Sequence, residues 1–105
     1  MALEIDSTNE NGVMMITVEG EIDLYSSPKL RSAIVKSVPD ATSRIEVILA
    51  GVRYMDSSGV ATLVEGLRDA RDNGREFTLV SPSEAVMKVL RLAKLDSVFE
   101  VSPSP

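Results

Sequence analysis

The sequence contains no histidine and no cysteine. The lack of cysteine excludes a disulfide framework, and the lack of both residues excludes the usual zinc sites. A Ser-His-Asp hydrolase is also excluded, because no histidine is present to act as the base for a serine nucleophile. The chain lacks the glycine-rich loops that bind nucleotide phosphates. We therefore expect a protein that is not an enzyme and that needs neither a metal ion nor a cofactor.

Aromatic residues, positive charge and long apolar runs are scarce. The chain has two Tyr, two Phe and no Trp, and its 16 acidic and 11 basic residues give a net charge of -5. This composition does not suit nucleic acid or anionic membrane surfaces, whereas a basic protein partner would be attracted. No run approaches the ~20 apolar residues that span a bilayer, and the N-terminus lacks the pattern of a secretory signal. The expected location is the cytoplasm.

The chain has 105 residues, which is the size of one domain. A domain of this size buries roughly 65% of the surface that its unfolded chain exposes, so it can form a core without covalent cross-links. We assign residues 1–101 to this domain. The last four residues, 102–105, read Ser-Pro-Ser-Pro and have nothing to bury, so a disordered tail is predicted there.

A β-hairpin is predicted at the N-terminus. Leu3 and Ile5 alternate with polar residues, and a second apolar run follows over residues 13–18. Between the two runs stands Asn11-Gly12, the strongest short-range signal of a hairpin turn. The first two strands are therefore expected to be antiparallel.

A helix is predicted to follow this hairpin. Gly20 is expected to end the second strand, and residues 21–25 are expected to form a loop. Ser27 then precedes Pro28, which is the order of a helix cap and a proline at the first helical position. Pro39 is expected to end the helix.

The middle of the chain alternates between strand and helix. Residues 45–50 and 76–80 have the pattern of strands, and residues 60–70 have that of a helix, with Gly74 placed to cap its C-terminus. Strand, helix and strand in succession favour parallel pairing through right-handed crossovers.

A third helix and a short last strand are predicted near the C-terminus. Ser81 with Glu84 three residues later has the pattern of a capping box, and the helix is expected to end at Leu95. Residues 98–101 have the pattern of a short strand. The apolar stripe of the helix consists of Val86, Val89, Leu90 and Ala93.

The predicted strands carry their apolar residues mainly on one face. A sheet with helices on both faces would need both faces to be apolar, so sequential strand order with helices mainly on one face is favoured. The predicted fold is α/β, with an N-terminal β-hairpin followed by parallel strands and right-handed helical crossovers. The apolar residues predicted to share this face are Ile16, Val18, Ile45, Val47, Leu49, Phe77 and Leu79.

The segment Asp56-Ser57-Ser58-Gly59 stands where a strand pattern changes to a helical one. One polar residue is enough to cap a helix, and Gly59 could merely permit a tight entry, so three cap-competent residues favour a functional loop. A helix N-terminus stabilises an anion, and a serine without a base is a better phosphate acceptor than a nucleophile. A phosphate beside Asp56 would mainly change the surface charge, which suits a switch on partner binding.

A second acidic loop contains Glu21 and Asp23. The simplest interpretation is a solvated turn, but this loop and the Asp56 loop both follow strands at their carboxyl ends, where open α/β folds place their sites. We therefore expect the two loops to lie close together. A carboxylate pair of Asp23 and Asp56 that binds Mg²⁺ or acts in acid and base catalysis is a further alternative.

Three segments carry a resemblance to a known family. With these segments in this order, nearly the whole chain resembles the STAS domain family, and within it the bacterial anti-sigma factor antagonists. The segments are Gly20-Glu21-Ile22-Asp23, Tyr54-Met55-Asp56-Ser57-Ser58-Gly59-Val60 and Leu79-Val80-Ser81-Pro82.

The resemblance implies that Ser57 is phosphorylated by a serine kinase that is also an anti-sigma factor. In such proteins the unphosphorylated form binds the kinase and frees the sigma factor, and a phosphatase, expected to be of the PPM type, resets the switch. By the same resemblance Asp23 and Asp56 lie on the kinase-binding surface together with Glu21, Ser58 and Gly59.

The resemblance also leaves other functions open. STAS domains serve as unmodified subunits of lipid-transporting ABC complexes and as regulators of other partner-switching systems. The complete Asp-Ser-Ser-Gly motif favours the phosphorylated regulators.

Overall fold

Five strands and three helices make up the computed structural model, which describes residues 2–103. The strands form one sheet in sequential order, with the first pair antiparallel and the other pairs parallel, as predicted. No helix within the described residues is long and apolar enough to cross a membrane. The elements are β1 (Leu3–Glu10), β2 (Val13–Ile22), α1 (Ser27–Asp40), β3 (Arg44–Met55), α2 (Ser57–Asp72), β4 (Glu76–Val80), α3 (Glu84–Leu92) and β5 (Glu100–Ser102).

The predicted hairpin turn is confirmed. Asn11 and Gly12 both have positive φ angles, of 54° and 87°, the backbone shape that makes this dipeptide favourable in a two-residue turn. The Asn9 side chain accepts a hydrogen bond of 3.1 Å from the Gly12 N–H and fastens the turn. This turn sets the register in which β1 pairs with β2.

Strands β2 and β3 are longer than predicted. β2 continues past Gly20 to Ile22, and β3 continues past residue 50 to Met55, so the expectation that Gly20 ends the strand is wrong. The two extensions pair with each other, Gly20 with Val52 and Ile22 with Met55, across a shift in register. Each extension supplies hydrogen-bond partners to the other and buries apolar side chains, which overrides the local preference of glycine for turns.

Helix α1 begins and ends beside the predicted residues. Its N-cap is Ser26 rather than Ser27, so Pro28 is the second helical residue and not, as predicted, the first. The helix runs through Pro39 to Asp40, so Pro39 lies inside the last turn instead of ending the helix.

Helix α2 begins earlier than predicted, at Ser57, and ends at Asp72. Its C-cap is Asn73, and Gly74 follows with a φ of 71°, the left-handed conformation expected of a glycine just after a helix. The next strand covers Glu76–Val80, in agreement with the prediction.

The predicted capping box of α3 is wrong. The N-cap is Ser83, whose hydroxyl accepts a hydrogen bond of 3.3 Å from the Val86 N–H. Ser81 instead has a positive φ of 49°, and its N–H donates to the Ser102 carbonyl, which ties the end of β4 to β5. Glu84 is the first residue of the helix, and the helix ends at Leu92 rather than at Leu95.

The last strand is also displaced from its prediction. It covers Glu100–Ser102 instead of residues 98–101, so Ser102 belongs to the sheet rather than to the predicted tail. The Ser81 hydroxyl donates a hydrogen bond of 2.7 Å to the carbonyl of Pro103. The remaining tail residues, 104–105, lie outside the described residues.

One face of the sheet carries the core, which confirms that the helices lie mainly on that face. On the opposite face of the sheet, Met15 and Thr17 are half-buried and Glu19 is exposed, although Thr78 and Val80 of β4 are buried. The buried residues of the core include Ile16, Val18, Ile45, Val47, Leu49, Phe77 and Leu79 of the strands and Leu30, Ile34, Leu63, Leu67, Val86 and Leu90 of the helices.

Gly59 allows α2 to start close to the strand ends. A Cβ atom at this position would lie 2.4 Å from Cγ of Met55 and 2.9 Å from Cγ2 of Ile22, and both of these side chains are buried. Because α2 begins two residues after β3 ends, its first turn has little freedom to move away. A glycine at position 59 therefore fixes where Ser57 lies.

We predict that Gly59→Ala destabilises the fold by about 1–3 kcal/mol, the usual effect of forcing an extra carbon into a packed core. The free energy of unfolding in urea measures the loss. Gly66→Ala is a matched control in the same helix. Its Cβ would lie 3.0 Å from Cγ2 of Ile34 and 3.0 Å from Cζ of Phe77, both longer than the 2.4 Å contact at Gly59. Mid-helix replacement of glycine by alanine also gains up to ~1 kcal/mol in helix propensity. A Gly59→Ala variant as stable as the wild type would contradict this account.

Candidate functional site

The ends of β2 and β3 bring the two acidic loops together. Ile22 pairs with Met55, and the N–H of the next residue, Asp56, donates a hydrogen bond of 3.1 Å to the Ile22 carbonyl. Asp23 and Asp56 thus follow paired residues at the same edge of the sheet, and the expectation that these loops adjoin is confirmed. We call this region the serine site; it consists of Glu21, Asp23, Asp56, Ser57, Ser58 and Gly59.

Asp56 and Ser58 are engaged with each other. Asp56 is the N-cap of α2, and its Oδ1 accepts a hydrogen bond of 2.9 Å from the Ser58 N–H and another from the Ser58 hydroxyl. These bonds satisfy a backbone donor that the first turn of a helix leaves free. Asp56 therefore has the predicted capping role, and Ser58 donates both of the hydrogen bonds that its side chain accepts.

Ser57 differs from both of its neighbours. Its side chain is exposed, and its hydroxyl makes no hydrogen bond to any of the residues 2–103. It is the first residue of α2, where the positive end of the helix dipole is directed at any group placed on it. Of the two serines, Ser57 is thus the one that presents a free hydroxyl to a partner.

The loop between β2 and α1 is held by hydrogen bonds within the loop. Oδ1 of Asp23 accepts from the N–H groups of Tyr25 and Ser26, each at 2.9 Å. The Ser26 hydroxyl accepts from the Asp23 N–H at 2.9 Å and donates to the Glu21 carbonyl at 2.8 Å. Sequence reasoning missed Ser26, although an Asp side chain that accepts from the backbone two residues on, as Asp23 does from Tyr25, is common in turns.

These bonds affect the charge of Asp23. The Ser26 N–H lowers the pKa of Asp23 below its ordinary value of 3.8, and the Ser26 hydroxyl and Tyr25 N–H add to this, against an opposing effect of desolvation. A lowered pKa means that the carboxylate stabilises the loop at a pH above the ordinary value. The stabilisation is lost as the pH falls through the lowered pKa, so the carboxylate makes its full contribution to the loop at neutral pH.

The same loop exposes two large apolar side chains that sequence reasoning missed. Leu24 is 68% exposed and Tyr25 is 90% exposed, although the backbone that carries them is fixed by the Asp23 network. Tyr54, which pairs with Glu21, is 49% exposed at the same end of the sheet. Exposed tyrosines on a rigid backbone are typical of protein-binding surfaces.

Within residues 2–103 no group of three or more Asp or Glu side chains could hold a metal ion. Asp23 and Asp56 each use Oδ1 to bind backbone N–H groups, which stabilises the turn and the helix start. What the geometry presents is an exposed hydroxyl on Ser57 next to Asp56, with the loop of Asp23, Leu24 and Tyr25 adjoining.

Comparisons with known proteins agree with the resemblance seen in the sequence. The family model of the STAS domain matches residues 4–105. The anti-sigma-B factor antagonist of Staphylococcus aureus is 28% identical to this chain over 102 residues, which cover 97% of this chain and 94% of that protein. An anti-sigma factor antagonist from Mycobacterium paratuberculosis has a similar structure, with a TM-score of 0.87 at 25% identity, covering 98% of this chain and 87% of that chain.

The fold is also that of SpoIIAA, which has been solved as an anti-sigma factor antagonist in its unphosphorylated form and as a Bacillus cell fate determinant in its phosphorylated form. The TM-scores are 0.75 and 0.69 at 24% and 23% identity. The matches cover 96% of this chain in both cases, and 88% and 91% of the SpoIIAA chains. With a family model that matches from residue 4 to the end, this chain belongs to the STAS domain family.

Proposed function

We propose that this chain is an anti-sigma factor antagonist whose binding is controlled at Ser57. The unmodified chain binds an anti-sigma factor serine kinase and frees the sigma factor. The kinase then phosphorylates Ser57, the complex dissociates, and a phosphatase of the PPM type restores the hydroxyl. The observation that carries the proposal is the contrast between the free, exposed Ser57 hydroxyl and the Ser58 hydroxyl bound to Asp56.

Electrostatics at the serine site explains how one phosphate acts as a switch. A phosphoserine carries about -1.5 to -2 charges at neutral pH. The start of α2 stabilises this charge within the free chain, whereas the neighbouring Asp56 adds a negative charge of its own. A partner that fits a small neutral hydroxyl would have to dehydrate the phosphate on binding, which is strongly unfavourable.

The rest of the serine site fits a protein partner. Glu21 and Asp23 attract a basic surface, and the exposed Leu24 and Tyr25 beside them provide apolar contact area. The Asp23 network fixes this loop before binding, so little conformational entropy is lost when a partner docks.

The named relatives support the same function. The Staphylococcus protein is an anti-sigma-B factor antagonist, and SpoIIAA has been solved both with and without phosphate. A protein of the same fold that exists in both states supports a reversible modification in this chain.

The proposed function predicts which residue is modified. The chain is incubated with ATP and with each purified anti-sigma factor serine kinase of the same organism, and the phosphate is mapped by mass spectrometry. We expect phosphate on Ser57, because Ser58 is engaged with Asp56. Ser58→Ala should still be modified and Ser57→Ala should not. Phosphate on Ser58 alone would contradict the assignment, and no phosphate at all would favour an unmodified STAS subunit, such as that of a lipid-transporting ABC complex.

The second prediction concerns the charge mechanism. Ser57→Ala should bind the kinase within about threefold of the wild type, whereas Ser57→Asp should bind at least about tenfold more weakly, a loss of ~1.4 kcal/mol. Isothermal titration measures both affinities. Ser97→Asp is the matched control, because it adds the same charge to an exposed serine at the opposite edge of the sheet. Equal affinities of Ser57→Ala and Ser57→Asp would overturn the charge mechanism.

A further inference from the structure

Helices α2 and α3 lie side by side and leave an open groove of about 590 Å³ between them. Ser57 lines one end of the groove and Arg68 lines the other. Ser57 and Arg68 are eleven positions apart along α2, which corresponds to about 16 Å, or three helical turns. The α2–α3 groove therefore begins at the serine site and extends away from it by the length of a short helix.

The walls of the α2–α3 groove are mainly apolar. Val64, Val89 and Leu95 are half-buried and pack against the core, so their outer sides remain open to the groove. Leu92 stands on the α3 side and is 76% exposed, the most exposed leucine of the described residues. Apolar side chains grouped in a concave surface, rather than scattered singly, are typical of an interaction site.

The charges along the groove distinguish its two ends. Glu65 is paired with Arg31 on α1 at 2.9 Å, so its charge is already balanced. Arg68 forms no ion pair with any of the residues 2–103 and remains a cation without a partner. The end near Ser57 is acidic, because Asp56 adjoins it. A ligand that follows the groove would therefore meet an apolar wall with a cation at its far end.

We infer that the α2–α3 groove binds a helix of the partner kinase through an apolar stripe, with an acidic side chain of that helix paired to Arg68. The inference rests on the proposed function, since it names the part of the kinase that contacts the chain beside Ser57. The length of the groove and its continuity with the serine site favour this occupant. A second copy of the chain fits less well, because each copy carries a net charge of -5.

A partner helix in the α2–α3 groove would also explain how a phosphate on Ser57 ends binding. A helix seated in the groove covers the position next to Ser57 with apolar side chains and excludes water from it. A phosphate there would have to lose its hydration inside the contact, so modification of Ser57 would displace the helix. The groove thus links the binding energy of the partner to the state of Ser57.

The test uses the full chain and the kinase that phosphorylates it. Leu92→Asp and Arg68→Glu should each weaken binding by at least tenfold, and both residues are exposed, so the fold is retained. Val35→Asp and Arg71→Glu are matched controls that make the same changes at exposed positions outside the groove, and they should change the affinity less than twofold. In addition, a photoreactive amino acid at position 92 should crosslink to the apolar stripe of a kinase helix, whereas one at position 35 should not.

The outcomes separate this inference from the proposed function. If the wild type binds the kinase and is phosphorylated on Ser57 while Leu92→Asp and Arg68→Glu bind equally well, the groove inference is overturned and the proposed function stands. If the wild type is a dimer that Leu92→Asp dissociates without loss of kinase affinity, the groove belongs to a second copy and the inference is also overturned. A wild type that binds none of the kinases overturns both.

Discussion

The pairing of β2 with β3 up to their last residues is the interaction on which the serine site depends. It places the Ile22 carbonyl within 3.1 Å of the Asp56 N–H, so the two acidic loops leave the sheet at adjacent positions. Asp56 then caps α2, and the close packing of Gly59 holds that helix start against the strand ends. Without the paired extensions, the loops that carry Asp23 and Ser57 would not leave the sheet side by side.

The serine site is built as a rigid surface around one free group. Asp56 holds Ser58, and Asp23 holds the backbone of its own loop, so these carboxylates order the surface that they also charge. Ser57 alone is left with an exposed hydroxyl and no hydrogen bond to the described chain. A small neutral group in such a fixed setting is well suited to control by modification, because the added phosphate changes the charge at one point while its surroundings stay in place.

The sequence predicts the architecture well because the strand alternation and the hairpin turn are local patterns. It fails where pairing between distant segments decides the outcome. Gly20 reads as a strand end, yet its pairing with Val52 carries β2 further. Ser81 reads as a helix cap, yet its N–H is taken by β5 and Ser83 caps the helix instead. In the serine site, the sequence predicts the acidic loops and their proximity, but the contrast between Ser57 and Ser58 depends on side-chain geometry that no spacing reveals.

We propose that the charge state of Ser57 decides whether the partner binds. The most direct measurement is a calorimetric titration of the kinase with the unmodified chain and with the same chain phosphorylated on Ser57, at one pH and one salt concentration. We expect the unmodified chain to bind and the phosphorylated chain to bind at least about tenfold more weakly, equivalent to ~1.4 kcal/mol. Equal affinities for the two forms would contradict it.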